Sequence, residues 1–221
     1  MKKIIITLAI MAFTTGLTAC SYLPDTSSLQ ISAPKASHYD TIVEMLQNLH
    51  TYKASTTVTY ISNKSINTYS TTQVATAEGL YRIDVTGPDH AMGNVTTFDG
   101  NNIYQLNKNV NKGLTIGVAS QDTKERTSIL FTNFAKLYLS ETANTLPPQE
   151  NEKGHHISLQ VEYINSYIHT ITLHIDNDLN PISLTTKDIN GQERIVVTYQ
   201  EFFYNIGVDK SIFSPTNDNT T

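Results

Sequence analysis

The sequence predicts an α+β fold, a strongly curved antiparallel half-barrel sheet with helices packed on its concave side. Three observations carry this reading. Runs rich in Thr, Ile, Val and Tyr alternate apolar with polar residues, as half-buried strands do. Asp99-Gly100 and Asn190-Gly191 stand between such runs, where a hairpin needs residues that accept positive φ. Two further segments repeat apolar residues with helical spacing and offer one greasy stripe each to a sheet.

Taken in order, a first helix is expected from Ser37 to about His50. Ser37 with Asp40 resembles a capping box, and Ile42, Leu46 and Leu49 fall at i, i+4, i+7 beside Met45. Strands are expected over Tyr52–Ser62, Tyr69–Ala77, Leu80–Thr86, Asn94–Phe98 and Asn102–Leu106. The threonine-rich run Tyr69–Ala77 reads as an exposed edge, open to strand exchange. A second helix is expected from Asp122 to Glu141, capped by Asp122 and Glu125 and striped by Ile129, Leu130, Phe134 and Leu137. Leu146-Pro147-Pro148 reads as a loop. Four strands follow, over His156–Tyr163, Ile168–Ile175, Ile182–Lys187 and Arg194–Tyr204, with Ile157, Leu159, Val161, Tyr163, Ile171, Leu173 and Ile175 on one buried face.

The 221 residues divide into a leader over 1–19, an acylated Cys20 with a flexible tether over 20–36, one domain over 37–215 and a polar tail over 216–221. Lys2 and Lys3, the apolar run Ile4–Phe13 and a small-residue ending describe an export signal, too short to span a bilayer. Leu17-Thr18-Ala19-Cys20 resembles a bacterial lipobox, and Cys20 is the only cysteine in the chain. Two acyl chains of the palmitate kind on that residue suffice for stable anchoring, which places the domain outside the cytoplasmic membrane.

Lys+Arg 15 against Asp+Glu 20 gives a charge of -5. Loss of Lys2 and Lys3 makes it 13 minus 20, or -7. So acidic a chain is a poor partner for nucleic acid, whose phosphates need clustered cations. A single cysteine excludes a disulfide framework and a multi-cysteine zinc site. No nucleophile elbow and no glycine-rich phosphate loop occurs. His155 and His156 are neighbours, and His169 and His174 sit five apart, so neither pair shares a strand face, and no metal set or cofactor is expected. Asp99-Gly100-Asn101-Asn102 is a hairpin turn rather than a calcium loop, since the twelve-residue ligand pattern is missing. The chain is therefore expected not to be an enzyme. Phe98, Tyr104, Phe131 and Tyr138 are candidates to line a groove, with core packing as their commoner fate.

Gly79-Leu80-Tyr81-Arg82-Ile83-Asp84-Val85, then Pro88, then Phe98-Asp99-Gly100-Asn101-Asn102-Ile103-Tyr104-Gln105-Leu106 resembles the LolA/LolB-like lipoprotein-carrier superfamily. The end is similar too, from Pro181-Ile182-Ser183-Leu184 through Asp188–Gly191, Tyr199, Phe202 and Asn205 to Phe213. With the lipobox and Tyr60-Ile61-Ser62-Asn63-Lys64, the chain is most similar to germination lipoproteins of the GerS type in spore-forming Firmicutes. That resemblance implies an incomplete barrel closed by helices. It also implies a membrane-tethered accessory protein that binds and activates a cortex-modifying N-acetylmuramoyl-L-alanine amidase, the zinc of that system belonging to the amidase. The alternative is a carrier or receptor that holds lipid acyl chains in the half-barrel. Thr76-Ala77-Glu78-Gly79 lacks the basic-Pro pair that soluble carriers place before the aromatic-Arg strand.

Overall fold

A computed structural model describes residues 38–107, 109, 112–117, 127–165 and 167–214 of the chain. Eleven strands form one antiparallel sheet. Their ranges are β1 Thr51–Ile61, β2 Ile66–Thr76, β3 Tyr81–Gly87, β4 Asn94–Phe98, β5 Asn102–Asn107, β6 Lys112–Gly117, β7 Asn144–Asn151, β8 Gly154–Asn165, β9 Ile168–Ile175, β10 Pro181–Lys187 and β11 Glu193–Tyr204. Helix α1 is His38–Gln47 and helix α2 is Phe131–Tyr138. The order across the sheet is β6-β5-β4-β3-β2-β1-β11-β10-β9-β8-β7. The first and last strands meet in the middle, Tyr52 opposite Tyr204 and Tyr60 opposite Ile195. The sheet is curved and does not close.

Curvature has a local cause. Register slips leave an extra residue in β11 at Gln200, opposite Ser55/Thr56 of β1, and at Arg194, opposite Thr186/Lys187 of β10, in β3 at Thr86 and in β10 at Ile182. A strand bends where two residues oppose one. In β11 the bulge at Gln200 passes the inner face from Val197 and Tyr199 to Phe202 and Tyr204, while β1 keeps Tyr52, Ala54, Thr56 and Val58 buried in unbroken alternation.

Ile42 and Leu46 of α1, Leu49, and Phe131, Phe134, Ala135 and Tyr138 of α2 join Tyr52, Val58, Ile157, Leu159, Leu173 and Leu184 in one core. Phe131 is its hub, with ring centroids 4.8 Å from Phe202, 6.0 Å from Tyr52 and 6.2 Å from Tyr199. Beneath it runs a buried polar chain. The Tyr52 hydroxyl donates to Gln73 Oε1 at 2.9 Å, Gln73 Nε2 donates to Thr56 Oγ1 at 3.2 Å, and Thr56 and Thr71 share a bond of 2.6 Å. Leu130 precedes α2 in extended conformation and offers no side-chain cap, so the amide of Phe131 donates to the Tyr52 hydroxyl instead, at 3.3 Å.

Three expectations are corrected and one strand is added. Tyr69–Ala77 is not an edge: β2 lies between β1 and β3, and the edges are β6 and β7. Leu146-Pro147-Pro148 is not a loop but part of β7, tolerated because it sits on an edge strand at a register slip, where a missing N–H breaks no ladder. The predicted second helix is broken rather than continuous: Thr127 is helical, and helix resumes over Phe131–Tyr138. Ser128 and Ile129 form a turn, Leu130 is extended, and Leu139 ends the helix before Glu141; Asp122 and Glu125 lie outside the described residues. Finally β6, which pairs Leu106 with Gly113, had no signature beyond alternation over Lys112–Gly117. The capping residue Ser37, Cys20 and the tail from Pro215 also lie outside the described residues. Among the described residues no helix is long and apolar enough to cross a membrane.

The outer face is hydroxyl-rich, with Thr59 bonded to Thr68 at 3.1 Å and Ser158 to Thr172 at 2.8 Å. There the C-terminal segment folds back. Arg82 grips Asp84 through two bonds of 2.6 and 2.9 Å and donates to the Ile212 carbonyl at 3.1 Å, while Phe213 is buried.

Candidate functional site

The strands have two ends with different chemistry. At one end β1 turns into β2, β8 into β9, and β10 into β11. Four exposed large apolar side chains gather there: Ile66 and Ile189, each 68% exposed, Tyr167 at 50% and Tyr60 at 38%. Tyr60 and Tyr69 meet edge to face at 6.1 Å across β1 and β2. Scattered apolar residues on a surface need no explanation, but clustering on adjacent turns marks a contact surface.

These turns are braced by one cation. Arg194, 9% exposed at the start of β11, donates to Asp188 Oδ2 at 2.8 and 2.6 Å, to Gln192 Oε1 at 3.0 Å and to Asn63 Oδ1 in the β1–β2 turn at 2.8 Å. Its guanidinium also stands 5.4 Å from the Tyr167 ring centroid, in the β8–β9 turn. Three turns are thus held by one planar fork, which a lysine could not reproduce. Asp188 serves the turn as well, accepting from the amides of Asn190 and Gln192 at 2.9 Å each. Loss of water would raise its carboxyl pKa, but the Gln192 amide, Arg194 and the Asn190 amide outweigh this and hold it below the ordinary carboxylate range. The acid stays ionised and the brace stays charged.

The predicted groove residues do not share a wall. Phe131 and Tyr138 are buried in the core, Phe98 packs partly buried against it with its ring 5.7 Å from Tyr81, and Tyr104 lies on the other face of the sheet, its hydroxyl donating to Asp99 Oδ2 at 3.0 Å. Pairing explains the split, because Phe98 faces Ile103 and Thr97 faces Tyr104. Between the sheet and α2, Tyr52, Phe131 and Phe134 pack into the core, each 1% exposed or less. One hollow on the outer face, about 330 Å³, is lined by the hydroxyls of Ser55, Thr57, Ser70 and Thr72 with Gln200.

The opposite end gathers histidines that spacing along the chain does not reveal. His156 and His174 stand directly opposite each other on β8 and β9, with rings stacked at 4.0 Å and 13°. Nearby, donor atoms of His38 on α1, Glu150 on β7 and His155 on the inner face of β8 lie within 4.8 Å of one another. Cross-strand register makes both groups, and only knowledge of the pairing could have found them. Arg194 was missed for the same reason, since its partners lie in three separate turns.

Among solved structures the chain is similar to an uncharacterized conserved protein from Thermus thermophilus, with TM-score 0.49 and 11% identity over 82% of this chain and 96% of that one. It is also similar to a chain in the structure of the CwlD amidase from Clostridioides difficile in complex with the GerS lipoprotein, with TM-score 0.47 and 19% identity over 77% and 97%. A LolA superfamily protein from Nitrosomonas europaea gives TM-score 0.43 and 10% identity over 79% and 96%. No curated protein matches. A family model matches residues 1–213, and the chain belongs to the sporulation protein YdcC-like family.

Proposed function

We propose that this chain is a non-catalytic, lipid-anchored accessory protein of sporulation, held outside the membrane through Cys20, with residues 1–19 removed and 20–36 acting as a tether. Its partner is a protein, an N-acetylmuramoyl-L-alanine amidase of the spore cortex, docked at the turns braced by Arg194. The carrying observation is the gathering of Tyr60, Ile66, Tyr167 and Ile189 at one end of the sheet.

The first described residue, His38, stands beside Glu150 and His155 where β7 turns into β8, at the end of the sheet away from these turns. Docking over the carriage of acyl chains is favoured by Phe131 and Phe134 of α2, which pack into the core against the inner face of the sheet.

The test is reconstitution with the purified amidase of the same organism. Ile66→Glu with Ile189→Glu, both exposed, is expected to keep the melting temperature and lower amidase affinity at least tenfold, as loss of a central apolar contact does. Cys20→Ser is expected to move the protein from the membrane to the soluble fraction while leaving that affinity intact. Unchanged affinity in the double variant, or turnover of cortex fragments by this chain alone, overturns the reading.

A further inference from the structure

We infer that His38, Glu150 and His155 form a zinc site that clamps the start of α1 to the β7–β8 hairpin. Two imidazoles and one carboxylate suit zinc, with a fourth position left for water or a ligand from outside. The three residues come from three elements, and all their donor atoms lie within 4.8 Å of one another.

Each ligand is positioned differently. Glu150 and His155 face each other directly across the β7–β8 ladder, which sets their Cβ atoms about 5 Å apart. His155, 5% exposed and on the core face beside Ile157, is the fixed ligand. His38 and Glu150 are solvent-facing, with side chains 62% and 64% exposed, so they can turn inward without disturbing the core. His38 Nδ1 stands 3.6 Å from Glu150 Oε1, too far for a hydrogen bond. Metal–ligand distances of about 2.0–2.2 Å put tetrahedral ligand atoms roughly 3.4 Å apart, so closure needs about 1 Å of side-chain movement.

Ring geometry separates this group from the histidine pair on the reverse face. His38 and His155 are inclined at 57° with centroids 4.9 Å apart, and each brings a donor atom within 4.8 Å of the other and of Glu150. His156 and His174 are stacked at 13°, which sends their lone pairs along parallel planes, and His156 Nε2 is already bonded to Asn151 at 3.1 Å. The inner group closes on one ion with about 1 Å of side-chain movement; the outer pair would have to unstack. Zinc at the inner site links residues 38 and 150, so it fastens the point where the chain enters the domain to an edge hairpin that otherwise meets only β8 in the sheet.

The experiment titrates the full-length mature protein with zinc chloride, by calorimetry and by thermal melting, and with cobalt chloride by visible absorption. One equivalent of zinc is expected to bind, the melting temperature to rise by about 5–10 °C at a free zinc about a hundred times Kd, and cobalt to give the intense bands of a four-coordinate ion. His38→Gln and Glu150→Gln, both on exposed side chains, are each expected to weaken zinc at least tenfold and to remove those bands, while His174→Gln leaves them unchanged. A flat titration up to millimolar zinc overturns the proposal. So does zinc binding that survives His38→Gln and Glu150→Gln, or that is lost in His174→Gln.

Discussion

Removing one oxygen atom from the core isolates the polar chain beneath α2. Tyr52 is fully buried, and its hydroxyl both donates to Gln73 Oε1 at 2.9 Å and accepts from the Phe131 amide at 3.3 Å. Burial pushes that phenol well above its ordinary pKa, the Phe131 amide opposing only in part, so it remains a neutral donor and acceptor at any working pH. Tyr52→Phe keeps the ring, its stacking on Phe202 at 5.0 Å and its contact with Phe131. What it removes is the partner of two buried groups, each of which costs about 1–3 kcal/mol when left unsatisfied. The sum, about 2–6 kcal/mol, corresponds to a fall of about 5–20 °C in melting temperature for a domain of this size. Thermal melting followed by circular dichroism reads it directly. Tyr52→Phe with Gln73→Leu supplies the control: the second change removes the stranded acceptor, so the pair is expected to cost less than the two single changes added together. A Tyr52→Phe protein that melts within about 1 °C of its parent would refute the claim that this hydroxyl caps α2.

Two further outcomes follow from the turns. Arg194→Lys keeps the charge and loses the fork, so the amides of Asn190 and Gln192 are expected to exchange with deuterium faster, on the order of tenfold, with little change elsewhere in the sheet. In Asp99 and Asp176, burial would raise the carboxyl pKa, but backbone amides prevail and hold both below the ordinary range, those of Asn102 and Asn101 for Asp99 and of Asn180 and Asp178 for Asp176. The unfolded chain therefore takes up protons first; their stabilisation is whole above about pH 4 and lost as pH falls through the folded values. Asp99→Asn with Asp176→Asn, which preserves the side-chain acceptors, is expected to flatten the fall in melting temperature between about pH 4 and 2.

What was legible in the sequence was what is local. The alternation of Tyr81, Arg82, Ile83 and Asp84 is visible in any short window, and Asp99-Gly100 announces a turn because Gly100 takes φ of 101° and Asp99 accepts from the two amides that follow. The Asp176 and Asp188 turns repeat that chemistry with different residues in the positive-φ position, Leu179 at 67° and Gly191 at 78°. A leucine there contradicts local preference and survives because tertiary contacts hold it: it packs against the core and its carbonyl accepts from the Tyr204 hydroxyl at 2.8 Å.

Register is the quantity that a window cannot contain. Tyr69–Ala77 reads as an edge because nothing in it says that β1 and β11 will pair across 143 residues, as Gln200 and Thr57 do at 2.8 Å, and so leave β2 inside the sheet. Pro147-Pro148 reads as a loop because a central strand forbids proline, and the exemption for an edge depends on knowing which strand is the edge. The same ignorance hides both ends of the molecule. His155 is two positions from Ile157 in a greasy run, an unremarkable neighbour until β7 sets Glu150 against it and α1 delivers His38; Arg194 opens a strand until Asn63, Tyr167 and Asp188 arrive from three turns. In an antiparallel sheet whose first and last strands meet at the centre, the groups that bind are assembled by long-range pairing, so the surfaces proposed to hold a partner and a metal emerge only when the ladder is drawn.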